Sequence, residues 1–338
     1  MPAVCDADGA FQARFARRWG RLNHPHVRAL AWLLDSPDLL DAASPHWGGR
    51  IAALADLEQQ EQKHEQPAIA AWLDSLERDP APLEAALGAM PGGKPYTRLG
   101  LYAEKLMAFY FEQHGLLAAH GLQVRASRND TVGEFDFLLR AAARLLHWEF
   151  ATKFYLLDDA PDVGPFDRLI GPNLADTLGL KMRKILDQQL ALSRHPAAQA
   201  LLPQAVDRAQ ALVKGWLFYR AGRAAPAIDG IAPDHCRGTW CGVSEFAADE
   251  QGRDERCIAI ARMQWLAPLK AACDAPTFAR DDLAADLRVR FALDGAPVQV
   301  ATVAERDGAL VETARCFVVP DDWAAQARAR RAAGKLPR

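Results

Sequence analysis

Two runs of alternating apolar residues, Glu134–Leu139 and Leu145–Leu156, are separated only by Arg140–Arg144. A connection this short admits no crossover helix, so the runs must pair as an antiparallel hairpin. Strand side chains alternate between faces, which puts Glu134 and Asp136 on one face of the first strand. Glu149, Ala151 and Lys153 share one face of the second. With the turn centred between Ala142 and Ala143, Asp136 and Glu149 stand directly opposite each other, their Cβ atoms about 5 Å apart. Phe135, Phe137, Trp148, Phe150 and Phe154 make the other face strongly apolar and predict that it is buried.

The elements around the hairpin give an α/β chain. A helix from Arg98, with Leu99, Tyr102, Leu106 and Phe109 on one side, precedes it and is closed by Gly115 and Gly121. A strand at Leu122–Ser127 then turns through Arg128-Asn129-Asp130. After the hairpin, Gly171-Pro172-Asn173 opens a helix running to about Leu192, with Asn173 as N-cap and Asp176 three residues on. Residues 1–95 form a helical region ending at the Pro91–Pro95 break, 96–200 the α/β core, and 201–338 a strand-rich region. The strands expected in that last region are Lys214–Arg220, Arg256–Trp265, Val298–Val303 and Cys316–Val319. The Ala- and Arg-rich tail Ala324–Arg338 is expected as a solvent-facing helix.

Composition narrows the function. Half the residues are hydrophobic and a quarter charged, which excludes a disordered or fibrous chain. The net charge of -3 excludes a polycation, so any nucleic-acid contact must come from a local patch. No apolar run approaches the roughly 18 residues of a membrane span. Six scattered cysteines do not make a disulfide framework, and a reducing cytoplasm is the expected compartment. His235, Cys236 and Cys241 suggest metal ligands, but zinc wants four donors at closer spacing, and a pair of buried structural cysteines is the better explanation.

The chemistry therefore centres on the hairpin. Two carboxylates so close repel, so one must be protonated or a cation must lie between them. A hard divalent ion, Mg²⁺ or Mn²⁺, suits Asp136 and Glu149 because it takes oxygen ligands and keeps several waters. Lys153 on the same face would orient a water or offset charge on a phosphate. Glu134 is a secondary candidate, one pair further along. The bland alternative is a surface ion pair worth up to about 1 kcal/mol. On the following helix, Thr177, Lys181, Lys184 and Gln188 form a polar stripe suited to phosphate contact, if it is not simply a solvated face. Leu174, Leu178, Met182 and Ile185 form its apolar side.

An acid on one strand of a hairpin, then an acid and a lysine on the next, resembles the PD-(D/E)XK phosphodiesterase superfamily, with its restriction-endonuclease-like core of mixed sheet and flanking helices. GEFDFL is similar to the GEIDLI-type strand of several small members, and the likeness covers about Arg98–Leu192. It implies a metal-dependent nuclease acting on nucleic acid, with Asp136 and Glu149 on the metal, Lys153 at the scissile phosphate and Glu104 as a third acid. Lys181, Lys184 and Gln188 would bind the substrate. One feature departs from the pattern: the superfamily lysine comes two residues after the second acid, where this chain has Ala151. Lys153 lies four residues on, about 13 Å along a strand instead of about 6.6 Å. The departure gives weight to the alternative, a catalytically inactive binding or scaffold protein that keeps the fold. Across nearly the whole chain, HPHVRALAWLLDSP, RLGLYAEKLMAFYF, HWEFATKFYL, GPNLADTLGLKM and MQWLAPL resemble a bacterial family designated domain of unknown function 1853.

Overall fold

The hairpin forms in the register that its sequence predicts. In the computed structural model, β1 (Leu117–Ser127), β2 (Asp130–Ala141) and β3 (Arg144–Leu157) are antiparallel neighbours. Ala141 pairs with Arg144 and Phe137 with Trp148, which centres the turn on Ala142-Ala143, and Ala142 takes a left-handed φ of 53°. The structure describes residues 11–61, 66–88, 96–127, 130–160 and 162–337. The break expected at Pro91–Pro95 lies outside these residues, as do Arg128 and Asn129 of the expected turn.

Seven more strands extend the hairpin: β4 (Leu169–Ile170), β5 (Arg208–Arg220), β6 (Cys236–Gly242), β7 (Arg256–Ile260), β8 (Lys270–Ala272), β9 (Val298–Arg306) and β10 (Ala309–Val319). The sheet order is β1-β2-β3-β5-β6-β10-β9-β7, with β4 against β3 and β8 against β10. β3, β5, β6 and β10 pair in parallel and the rest antiparallel, so the chain is α/β with one large mixed sheet. The boundary drawn at residue 200 falls between two paired strands: β3 and β5 run together from Leu146–Arg208 to Leu156–Phe218.

Helices cover both faces, and the alternation along β3 decides which. Its even-numbered residues Trp148, Phe150 and Phe154 enter the main core with the N-terminal helices α1 (Phe11–Trp19), α2 (Pro25–Asp35), α3 (Leu54–Glu61), α4 (Gln66–Arg78) and α5 (Ala81–Leu87). The largest contribution on this side comes from α6 (Leu99–Gln113), which buries Leu99, Tyr102, Leu106 and Phe109 as its periodicity predicts. The odd-numbered Ala151 and Tyr155 face the other way, against Leu178 and Met182 of α7 (Leu178–Arg183) and Ile185 just beyond it. The remaining helices are α8 (Pro196–Gln199), α9 (Val243–Ala248), α10 (Arg280–Leu293) and α11 (Trp323–Ala332). None of the described helices is long and apolar enough to cross a membrane.

Four expectations are corrected. Gly121 does not close α6; Gly115 does, and Gly121 lies inside β1 at φ 62°, a local irregularity that a side chain would strain. Phe135 leaves the main apolar face, packs with Val124, Leu138, Leu145 and Leu192, and meets the His147 ring edge-on at 4.6 Å. The helix after the hairpin starts later than expected: Thr177, not Asn173, is its N-cap, accepting the Leu180 N–H at 3.1 Å. The tail is not a free helix. Trp323 is 2% exposed and donates to the Pro172 carbonyl at 2.7 Å, while Arg331 donates to the Asp167 carbonyl at 2.8 Å.

Because α11 docks through one large buried ring, Trp323→Ala is expected to cost about 3–5 kcal/mol of stability. Urea denaturation measures this, and a change below about 1 kcal/mol would mean that the tail frays as its composition alone suggests.

Candidate functional site

The site is built on the odd-numbered face of β3, where His147, Glu149, Ala151, Lys153 and Tyr155 follow one another under α7. Opposite Glu149 the hairpin ladder gives way. Its last backbone pair is Phe137 with Trp148, and at the next position Asp136 Oδ2 accepts the Phe150 N–H at 2.9 Å. A side chain thus replaces a strand hydrogen bond and fixes the Asp136 carboxyl beside Glu149.

Glu149 is 1% exposed and His147 fully buried. Glu149 Oε1 accepts from His147 Nε2 at 2.8 Å, and Oε2 accepts from the Gln189 side-chain amide. Burial lowers His147 to about 4, so at neutral pH the ring is uncharged and donates Nε2–H. Among the described residues, its Nδ1 is buried without a partner, as is Gln189 Oε1. Burial also pushes both carboxyls up to about 7, and the charge of Glu149 raises Asp136 further. The Phe150 N–H opposes this at Asp136, as hydrogen bonds with Asp136 do at Glu149. Two carboxyls so close and so buried repel when both are ionised, so the pair retains a proton near neutrality.

The cation whose field reaches both acids is Lys181 of α7. It is half-buried, and burial lowers its pKa while Asp136 opposes the shift. Lys153 is turned elsewhere. Its Nζ lies 3.8 Å from Asp176 Oδ2, which also accepts the Tyr155 hydroxyl at 3.1 Å. Burial lowers Lys153 too, Asp176 raises it and Lys181 lowers it. Ala151 is buried in the cluster with Leu178 and Met182, so α7 packs directly on the strand between Glu149 and Lys153.

The other candidates are spread around this pair. Glu104 accepts from His120 Nε2 at 2.8 Å and is close enough to raise both acids. Glu134, Lys184 and Gln188 are exposed. The glutamine at Glu149 is Gln189, one residue past the expected one. Residues Lys184–Gln189 form a π turn, closed by the Leu190 N–H on the Ile185 carbonyl at 2.9 Å. The wider turn delays the helical phase, so residue 189 arrives where 188 would fall on an α-helix. The pair Gln188-Gln189 in the sequence gives no sign of this. Among the described residues, no three His, Cys, Asp or Glu side chains are arranged to hold a metal, so a cation here would rest on two carboxyls. His235 is bonded to the Tyr219 hydroxyl at 2.7 Å, and Cys241 Sγ lies 3.7 Å from Cys316 Sγ, with Cys236 buried apart.

The family model Domain of unknown function (DUF1853) matches residues 28–319, and the chain belongs to that family. No curated protein and no solved structure matches it.

The raised carboxyl values fix the sign of a pH effect. Between about pH 4 and 7 the folded protein keeps protons that the unfolded chain has lost, so these groups destabilise the fold as pH rises through that window. His147 has the opposite slope below about pH 6.5, where the unfolded chain gains a proton that the folded one refuses. Asp136→Asn removes one acid and keeps its shape. It is expected to raise the melting temperature at pH 8 in chelator, by an energy on the order of 1.4 kcal/mol per pKa unit relieved. Calorimetry of wild type and variant at that one pH separates this from the histidine, and a lower melting point in the variant would refute it.

Proposed function

We propose that this member of the DUF1853 family is a divalent-metal-dependent phosphodiesterase acting on nucleic acid, working at Asp136 and Glu149. One observation carries the reading: two carboxyls meet across a hairpin in a buried place, both pushed up to about 7, with the Lys181 ammonium in reach of both charges. Acids strongly perturbed by burial beside a specific charge partner make a candidate functional site.

The residues fit a hard cation. Two carboxyls that retain a proton near neutrality can exchange it for Mg²⁺ or Mn²⁺, and such ions are commonly held by one or two carboxylates with waters and substrate phosphates. Bound there, the ion would supply Lewis-acid polarisation of a phosphoryl oxygen and lower the pKa of a water. The protein's own groups do the rest. The Phe150 N–H orients Asp136, and His147 and Gln189 orient Glu149. Lys181 offsets charge that develops on the phosphate, the part that the sequence pattern gives to Lys153. Glu104 adds negative potential from α6. Lys184 and Gln188, exposed on the same helical segment, suit the neighbouring phosphates. In this reading the sheet, hairpin and α7 form a restriction-endonuclease-like core, and the lysine has moved from strand to helix.

The second reading, a catalytically inactive binding or scaffold protein, is favoured by the completeness of Glu149's internal bonds. Both its oxygens are already engaged by protein groups, and the residue has almost no exposed surface.

Mn²⁺ calorimetry and a nucleic-acid cleavage screen separate the two. The nuclease reading expects Mn²⁺ binding that disappears in Asp136→Ala. It also expects a loss of about 10²–10³ in kcat for Lys181→Ala, with a smaller loss for Lys153→Ala. A folded wild type that takes no Mn²⁺ would sink it and leave the scaffold.

A further inference from the structure

A second place in the molecule holds charge that the hairpin acids do not use. On the side of the N-terminal helices, a cavity of about 510 Å³ lies between α2, α5, α6 and the segment Met263–Lys270. That volume is within the range of small-molecule sites, roughly 300–1,000 Å³. Arg28 of α2 lines it and is 8% exposed. Its guanidinium donates to the Leu22 carbonyl at 3.0 Å and the Pro268 carbonyl at 2.7 Å, and lies over the Phe15 ring. All three partners are neutral. Lys270 lines the same wall, with its ammonium on the Gly20 carbonyl at 2.5 Å and Asn23 Oδ1 at 2.6 Å, again neutral acceptors.

Among the described residues, neither cation forms an ion pair. The acids in their field are committed elsewhere. Glu312 binds Arg315 at 2.8 and 2.9 Å and accepts the Leu269 N–H at 2.7 Å. Glu77 accepts the backbone N–H groups of Asn23 and His24 at 2.8 and 3.1 Å. Glu84 lies 3.1 Å from His24 Nε2. A buried cation without a counter-charge is costly, and the cost falls when an anion enters. Arginine has five N–H donors in a fork that matches a carboxylate, sulfonate or phosphate, and Arg28 spends only part of that capacity on its two carbonyls. Leu87, Met263 and Leu266 give the lining an apolar part, beside Tyr102, which is bonded to His26 Nδ1 at 2.7 Å. Glu84 on the lining repels an anionic head and so directs it to the Arg28 and Lys270 wall.

We propose that this cavity binds a small organic anion, with its acidic head on Arg28 and Lys270 and its apolar, ring-sized body against Leu87, Met263, Leu266 and Tyr102. The site is independent of the phosphodiesterase reading.

The test is a fluorescence titration of the full chain with 8-anilinonaphthalene-1-sulfonate, run beside the uncharged N-phenyl-1-naphthylamine. The sulfonate is expected to bind at one saturable site. Lys270→Gln and Arg28→Gln should each weaken it about tenfold or more while leaving the neutral probe unchanged. Met263→Trp, which fills the apolar end and keeps both cations, should abolish binding of both probes. Asp136→Asn should change neither, which keeps this result separate from the hairpin. If Arg28→Gln fails to fold, Lys270→Gln and Met263→Trp carry the test alone. The proposal is overturned by a wild type that binds no sulfonate, or by variants that bind it as tightly as the wild type.

Discussion

Strand β3 is paired along both edges and packed on both faces, and every other element takes its place from it. A strand so enclosed offers little water to the polar side chains it carries. Their polar groups must find partners or pay for desolvation: His147 pairs with Glu149 on the same strand, and Glu149 and Lys153 also draw on other elements. Glu149 takes Asp136 from β2 and Gln189 from the π turn, and Lys153 takes Asp176 from the loop before α7. The residual cost appears as acids that hold their protons to about pH 7 and amines that release theirs early. The enclosure is tight enough to dictate composition. At Gly215 of β5, the register partner of Lys153, a Cβ would overlap the Lys153 carbonyl oxygen.

The sheet also separates charge. One face carries the paired acids under a cationic helix, and the other carries two cations above neutral carbonyls. A chain with a net charge of only -3 thereby holds two separate groups of buried charge, with a largely apolar core between them. Bulk charge says little about such a protein, because what attracts a ligand is the imbalance within a single cavity or cleft.

The hairpin is legible in the sequence because period and connection length leave one solution. Two alternating runs joined by a short link fix the register, and the register alone brings Asp136 to Glu149. The apolar stripe of α6 is equally legible, since it repeats over four turns. The lysine is not. Position along β3 points to Lys153, yet which ammonium's field reaches the acids depends on how closely α7 descends over Ala151, a packing outcome with no local signal. Gln189 is hidden for a related reason, because a π turn inserts its extra residue without any change in residue type. The neutral surroundings of Arg28 come from residues 240 positions apart, Arg28 and Pro268, and no window of sequence contains both.

The docking of α11 bears on the order in which the protein is made. Trp323 reaches back 151 positions to Pro172, and Arg331 holds Asp167, whose carboxylate accepts the hydroxyl of Thr177 at 2.6 Å. Thr177 starts α7, and α7 brings Lys181 over the acids. A ribosome delivers the hairpin and α7 well before it delivers α11, and a domain generally folds as a unit. The acid pair is thus synthesised early and secured late. While the chain is still growing, the loop that aims Lys181 lacks its anchor, so a nascent protein carries the carboxyls of the site before it carries the finished site.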